Sequence, residues 1–203
     1  MNANDVVVGV ASAAELRCIA ELEAEHYGGE QAVALYRLEA WYEANPNGFV
    51  VMREKGRVVG HVTMLPLKPA MLGALIDGTK REKDIERDDI FAPCDRASVR
   101  GIYIESLIVQ PIQLFGAFIM SFNRHVVRLA VPRHVDAIYA YPVTAAGRLV
   151  IANLHFQRLG PSLYAAKYRT LARQTAWLRA RIARAIPPHG RADLSFTAKR
   201  CGS

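Results

Sequence analysis

The chain has 203 residues, of which 51% are hydrophobic, so it is long and apolar enough to bury the core of one domain. Its net charge is +7, but residues 1–166 hold 17 basic and 18 acidic side chains, and the rest hold nine basic ones and one acid. Because the excess lies in the C-terminal tail, the charge excludes any reading of the whole protein as a nucleic-acid binder.

Cysteine usage and the lack of targeting patterns indicate a compartment. No apolar run is long enough to span a membrane, and the first residues lack the basic start and apolar stretch of a signal peptide. The three cysteines, Cys18, Cys94 and Cys201, are odd in number and have no metal-ligand spacing. These patterns predict a reduced, cytoplasmic protein without a disulfide framework, a metal or a membrane span.

The first part of the chain is predicted to form a strand, two helices and a hairpin. Ser12 and Glu15 have the spacing of a capping box, and Asn45-Pro46-Asn47-Gly48 is a strong helix stop. The apolar stripe of the first helix is Leu16, Ile19, Ala20 and Leu22. The predicted elements are a strand at Val6–Val10, a helix from Ser12 to about His26, a helix from about Glu30 to Ala44, and strands at Phe49–Arg53 and Arg57–Met64.

Residues 67–100 show no clear periodicity. Within them, Lys80–Asp89 is densely charged with both signs. Such a segment is typical of a solvated loop or short helix. A substrate-gating insert is the alternative, because long irregular inserts often take part in binding.

The second half of the chain is predicted to alternate strands with helices. With the first half, this order favours an α/β or α+β fold with a mixed sheet. It also favours one domain over residues 1–168, followed by a basic helix and tail over residues 169–203. The predicted elements are strands at Gly101–Val109, Val135–Tyr141 and Pro161–Tyr168, and helices at Ile112–Ala130, Ala145–Leu159 and Arg169–Ile186.

An apolar strand with one acid inside it leads directly into a helix at Gln110-Pro111. The acid, Glu105, lies at the middle of Gly101–Val109, and an acid in a buried strand is costly unless it is paired or used. Where a strand runs into a helix, the first backbone N–H groups of the helix point outward and suit a phosphate. A base beside such an anion site is what acyl transfer from a coenzyme A thioester requires.

This region resembles the GNAT superfamily of acyl-CoA N-acyltransferases, and the resemblance extends over residues 5–166. Ile102–Val109 is similar to the family's fourth strand, Gln113–Gly116 to the start of its pyrophosphate-binding signature, and Ala152–Gly160 to its fourth helix. The resemblance implies a GNAT-like mixed, mostly antiparallel central sheet flanked by helices. It also implies acetyl-CoA or another acyl-CoA as cosubstrate, and no metal.

The resemblance further implies roles for individual residues. Glu105 would be the general base that takes a proton from the attacking amine. His155 would be the substitute general acid, because Phe156 stands where the family often has a tyrosine. Cofactor binding would involve Leu107, Ile108, Val109, Gln113, Leu114, Phe115, Gly116, Ala117 and Asn153.

Departures from the family pattern leave other interpretations open. Gln110-Pro111-Ile112 replaces a glycine-rich loop, and the large Phe118 stands at a small-residue position. The alternative to an enzyme is therefore a non-catalytic or repurposed protein of the same fold. Such a protein would bind an acyl ligand, a carrier protein or another acidic partner. For Glu105 itself the alternative is an ion pair with Arg100 or Arg148.

The tail predicts an amphipathic helix over Arg169–Ile186, with arginines around an apolar stripe. In one interpretation, the apolar stripe of this helix docks on the domain. In the other, the helix is a surface that binds an acidic carrier protein, nucleic acid or an anionic membrane. Nucleic acid is disfavoured because Trp177 is the only aromatic side chain among those arginines. The expected partner is a small-molecule or peptide amine acceptor. For the oligomeric state, a homodimer is left open.

Overall fold

The computed structural model describes residues 6–28, 32–110, 122 and 124–174. In this part of the chain, seven strands form one mixed, mostly antiparallel sheet flanked by helices, which confirms the predicted fold class. The strands are β1 (Val6–Val10), β2 (Phe49–Glu54), β3 (Arg57–Leu65), β4 (Gly101–Val109), β5 (Ala137–Ala140), β6 (Gln157–Arg158) and β7 (Tyr164–Lys167). The helices are α1 (Leu16–Tyr27), α2 (Leu35–Ala44), α3 (Pro69–Asp77) and α4 (Ala145–Asn153), and residues 124–129 and 168–174 are also helical.

The strand order β1-β2-β3-β4-β5-β7-β6 contains one parallel pair, β4 with β5. This pairing runs only from Gly101 to Ile104, opposite Ala137–Ala140, where β5 ends. β4 continues to Val109 with β3 as its antiparallel neighbour. A gap therefore opens on the β5 side of β4, along residues 105–109.

A β-bulge interrupts β4 at the start of this gap. Thr63 of β3 is opposite Ser106, and Met64 is opposite Ile104, so Glu105 is the extra residue between them. A bulge adds local twist and changes the direction of the side chain it carries. Glu105 therefore lies where β4 loses its β5 partner on one side and changes register with β3 on the other.

The sheet divides the interior into two apolar layers. Val50 and Met52 belong to one layer, and Phe49 and Val51 to the other, because successive side chains of a strand point to opposite faces. The first layer is completed by residues from the helical segments 124–129 and 168–174. The second is completed by α1, α2 and α3.

Several element ends differ from the sequence prediction. The second helix begins at Leu35 instead of Glu30, and residues 32–34 are not helical. Val33 there donates its backbone N–H to Oε2 of Glu23 at 3.3 Å instead of entering a helix. The helix predicted over Ala145–Leu159 ends at Asn153, because His155 adopts a left-handed φ of 54° and the chain turns into β6.

The charged segment 80–89 is not simply a solvated loop. Ile85 within it and Ile90 directly after it are buried, and Trp41 donates its indole N–H to the Ile85 carbonyl at 3.0 Å. Short 3-10 turns at 82–84 and 87–89 carry the intervening charges. Helix α3, which precedes this segment, was not predicted.

The start of the tail contacts the core. Leu171, in the helical residues 168–174, is buried in the first apolar layer. The remainder of the helix predicted over Arg169–Ile186 lies outside the described residues, so docking of the whole tail stays a prediction.

Within the described part of the chain, there is no helix with the length and apolar character needed to cross a bilayer.

The Glu15–Arg53 ion pair joins the start of α1 to β2 and makes acid stability testable. Arg53 contacts Glu15 through two hydrogen bonds of 2.6 Å, and Ser12 donates its N–H to Glu15 at 2.8 Å. Burial opposes ionisation of Glu15, but these donors outweigh it and lower its pKa from 4.5 to about 2.

We expect Glu15→Gln to lower the free energy of unfolding by about 1 kcal/mol near neutral pH, since the pair is partly exposed. Because the folded pKa is depressed, the stabilisation is complete above 4.5 and disappears as pH falls towards 2. The difference in the free energy of unfolding between variant and wild type should therefore vanish in acid, as measured by urea denaturation.

The matched control is Glu43→Gln. Glu43 pairs with Arg87 at 3.1 Å, but both side chains are mostly exposed, at 62% and 59%. This variant should change stability very little at any pH, because exposed pairs contribute little. Equal losses for the two variants would contradict the assignment.

Candidate active site

The gap between β4 and β5 opens into a cavity of about 200 Å³. β4 forms one wall through Glu105, Leu107, Ile108 and Val109, and the segment from Ala140 into α4 forms the other. Most of the lining is apolar. The polar or titratable lining side chains are His26, Tyr27, Glu82, Glu105, Tyr141 and Thr144.

Glu105 lines this cavity without an ionic partner in the described structure. Its Oε2 atom is buried and has no cationic or backbone donor at hydrogen-bond distance among the described residues, and its side-chain neighbours are Thr63 and Glu23. Arg100 instead donates to the carbonyls of Ala97 and Val99, and Arg148 donates to the carbonyl of Val143. The alternative in which Glu105 is held by either arginine is therefore wrong.

Two further acids accompany Glu105. Glu23 of α1 is fully buried, and its Oε1 lies 3.8 Å from Nε2 of His61, a buried residue of β3. Glu82, from the charged segment, accepts a hydrogen bond of 2.5 Å from the Tyr103 hydroxyl. The fold thus brings carboxyl groups from a helix, a turn and a strand to one place, which we call the carboxyl cluster: Glu23, Glu82 and Glu105.

Burial raises the pKa of each member of the carboxyl cluster, and the charges of neighbouring acids add to the shift at Glu23 and Glu105. The pKa of Glu105 is raised well above 4.5, first by burial and then by the charges of Glu23 and Glu82. Burial also raises the pKa of Glu23 to about 7, against the Val33 N–H that favours its charged form. Burial raises the pKa of Glu82 as well, although the Tyr103 hydroxyl opposes the shift. Near neutral pH the cluster therefore retains protons that ordinary glutamates have lost.

His61 stays neutral beside this cluster. Burial, followed by the nearby His26, lowers its pKa to about 3. A neutral imidazole has one donor and one acceptor nitrogen. Neither ring nitrogen of His61 has a hydrogen-bond partner in the described part of the chain.

The predicted cofactor residues fall into three groups. Leu107, Ile108 and Val109 line the cavity, and their strand has no β5 partner beyond Ile104. Asn153 is exposed at the end of α4 and does not line the cavity. The predicted residues Gln113, Leu114, Phe115, Gly116 and Ala117 lie outside the described residues.

The predicted acid His155 is exposed and lies outside the cavity lining. Its neighbour Phe156 does line the cavity. The left-handed backbone conformation of His155 accounts for the different directions of the exposed His155 side chain and the cavity-lining Phe156 side chain. An acid role for His155 stays a prediction, and this position offers it no support.

Sequence reasoning missed Glu23, His61 and Glu82. Glu23 had a detectable signal, because it stands seven residues after Leu16 and so continues the buried stripe of α1, where Leu22 had been placed. Glu82 had none, since it is one of many charges in its segment. Among residues 6–28, 32–110, 122 and 124–174, no three His, Cys, Asp or Glu side chains are arranged to hold a metal ion.

Comparison with solved structures identifies the architecture. The loading GNATL domain of CurA from Lyngbya majuscula matches with a TM-score of 0.61 and 13% identity, covering 81% of this chain and 98% of that domain. A GNAT-family acetyltransferase from Staphylococcus aureus matches at 0.52 with 9% identity, covering 80% and 99%. The GphF GNAT-like decarboxylase in complex with isobutyryl-CoA matches at 0.51 with 18% identity, covering 72% and 71%.

No protein-family model and no curated protein matches the sequence. The likeness is thus one of structure, at sequence identities of 9–18%. The chain has the fold of the GNAT superfamily, as its sequence resemblance predicted.

Proposed function

We propose that the protein transfers an acyl group from an acyl-CoA to an amine. The observation that carries this proposal is the gap on the β5 side of β4, with a buried, unpaired carboxyl at its start. Backbone groups along residues 105–109 face that gap and suit the amides of a pantetheine chain. The fold supports acyl-CoA chemistry in general, and the cavity supports the finer proposal.

In the proposed reaction, the acyl thioester lies along the apolar walls formed by β4 and α4. The amine reaches it from the side of Tyr27, Glu82 and Glu105. As the amine nitrogen attacks the thioester carbon, a C–N bond forms and the C–S bond breaks, and the N–H proton passes to the Glu105 carboxylate. The CoA thiolate leaves and takes that proton from Glu105, which restores the carboxylate and balances the reaction.

We expect Glu105→Gln to lower kcat/KM by about 100-fold or more, because the amide cannot accept the proton. The measurement is release of CoA thiol from acetyl-CoA or isobutyryl-CoA with a primary amine. Since a base must be deprotonated and the pKa of Glu105 is raised, wild-type kcat/KM should climb with pH well above 4.5. The control is Glu25→Gln, an exposed position on α1, which should keep wild-type activity. Full activity of Glu105→Gln would remove Glu105 from its proposed role.

The charge of the cavity supports an acceptor that carries no anionic group. No Lys or Arg is among the described lining residues, and residues 110–123 contain none in their sequence. A carboxylate on the acceptor would lie near Glu82 and Glu105 without a compensating cation. An ammonium on an apolar body fits both the acids and the walls.

We therefore expect phenethylamine to be acylated with a kcat/KM at least about tenfold higher than phenylalanine, which differs only by its carboxylate. Parallel assays of the two amines with one acyl-CoA make this comparison. Equal rates, or a preference for phenylalanine, would contradict the acceptor class while leaving acyl transfer intact.

A second candidate is decarboxylation of a carboxyacyl-CoA. It is favoured by the raised pKa of Glu105, since a carboxyl that stays protonated can donate to a developing carbanion, and by the likeness to a GNAT-like decarboxylase. The bond to the carboxylate would break, CO₂ would leave, and the Glu105 proton would pass to the α-carbon. Release of CO₂ from malonyl-CoA or methylmalonyl-CoA without any amine would favour this candidate over the first.

A further inference from the structure

At and behind the cavity wall, three side chains carry buried polar atoms without partners. In the described part of the chain these atoms are Oε1 of Glu23, Oε2 of Glu105, and both ring nitrogens of His61. The residues lie on α1, β4 and β3 respectively. Glu23 and His61 are fully buried, at 0% exposure each.

Such a concentration of unsatisfied groups opposes folding. Each buried polar atom left without a hydrogen bond loses its hydration without a compensating interaction and so destabilises the fold. Unpartnered buried polar atoms also occur singly in the described part of the chain, at Arg37, Asn45 and Gln174. Around Glu105 they occur on four residues, because Oγ1 of Thr63 on β3 adds to the three side chains above. Such a local concentration points to groups that are used, not merely packed.

Among the described residues, neither Glu23 nor Glu105 forms an ion pair with a Lys or Arg. His61, whose Nε2 lies 3.8 Å from Oε1 of Glu23, is kept neutral by burial. The remaining titratable groups that face the pair are His26 and Tyr27 of α1, Tyr103 of β4, and Glu82 of the charged segment. Two adjacent carboxyls in these surroundings cannot both be ionised, so they titrate together.

We propose that Glu23 and Glu105 act as one carboxyl pair that holds a single exchangeable proton, and that His61 orients Glu23 within the pair. This inference rests on the proposed acyl transfer. Glu105 is the member that faces the substrate, whereas Glu23 and His61 are positioning residues that act through it.

In the resting pair, one member is a carboxylate and the other a carboxylic acid. When the amine attacks, its N–H proton moves to the carboxylate, so that both members are protonated. One proton then passes to the departing thiolate, which restores the resting state. Neutral His61, with Nε2 at 3.8 Å from Oε1 of Glu23, can accept the Glu23 O–H after a side-chain shift of under about 1 Å.

The first experiment follows the carboxyls in the free protein, so it needs no substrate. The titration of both side chains is recorded by NMR on protein with ¹³C-labelled glutamate carboxyls. In the wild type each signal should show two steps, since each carboxyl senses the other's proton. In Glu23→Gln, Glu105 should lose the step that follows Glu23 and titrate at a lower pKa, because one of its two like-charged neighbours has been removed.

The reciprocal variant, Glu105→Gln, keeps this test decisive if Glu23→Gln does not fold. It should remove from the Glu23 titration the step that follows Glu105, while the influence of Glu82 remains. Independent titrations in the wild type, each unchanged when the other carboxyl is replaced, would overturn the pair. This outcome stands apart from the proposed function, since a protein that acylates no amine can still contain the pair.

The second experiment tests the positioning roles by the pH dependence of kcat/KM. The acidic limb of this profile is the range in which kcat/KM rises with pH. Glu23→Gln should move this limb by about one pH unit or more to lower pH. His61→Gln, which keeps a hydrogen-bonding side chain, should shift the limb less than His61→Leu, which removes it. A control, Asn45→Ala, removes a buried hydrogen bond elsewhere and should lower the melting temperature without moving the limb.

A purely structural role makes the opposite prediction. If His61 variants lower the melting temperature as Asn45→Ala does and leave the limb unmoved, the orienting role of His61 is wrong.

Discussion

Parallel pairing between β4 and β5 extends over four residue pairs and then stops, while β4 continues for five more residues. A strand without a neighbour exposes backbone donors and acceptors, which a globular protein normally pairs or covers. Here the exposed edge forms the wall of a cavity closed on its other side by α4. The position of the candidate site, its shape and the kind of extended ligand it suits all derive from this early end of β5.

The protein treats its acids in two contrasting ways. Glu15 is held by Arg53 and Ser12, and its pKa is lowered to about 2. Glu23 and Glu105 lack such cations, and burial raises their pKa values. The first arrangement stabilises the fold near neutral pH, and the second opposes it. One acid is thus fully stabilised by a cation, and the acids beside the cavity are not. The unfavourable electrostatics are concentrated at the place where chemistry would use them.

The charged segment 80–89 shows how one stretch of chain serves both folding and the site. Ile85 within it and Ile90 directly after it anchor the segment in the core, and its backbone accepts the Trp41 indole hydrogen bond. This anchoring places Glu82 against Tyr103 and beside the cavity, while the neighbouring charges remain on the surface. The segment therefore adds a third acid to a site that β4 and α1 would otherwise form alone.

The sequence by itself determined the local elements with strong patterns: β1 and β4 with their bounds, the hairpin, the mixed sheet, and Glu105 as the acid of interest. Alternation and turn residues act over a few positions, so they can be read from one segment. Only the tertiary structure decided that Glu23, His61 and Glu82 meet Glu105, and that Asn153 and His155 face away from the cavity. These residues come from separate elements, and their burial and protonation depend on which surfaces pack together. No local pattern contains that information, because the free energy of a buried charge is set by its neighbours in space.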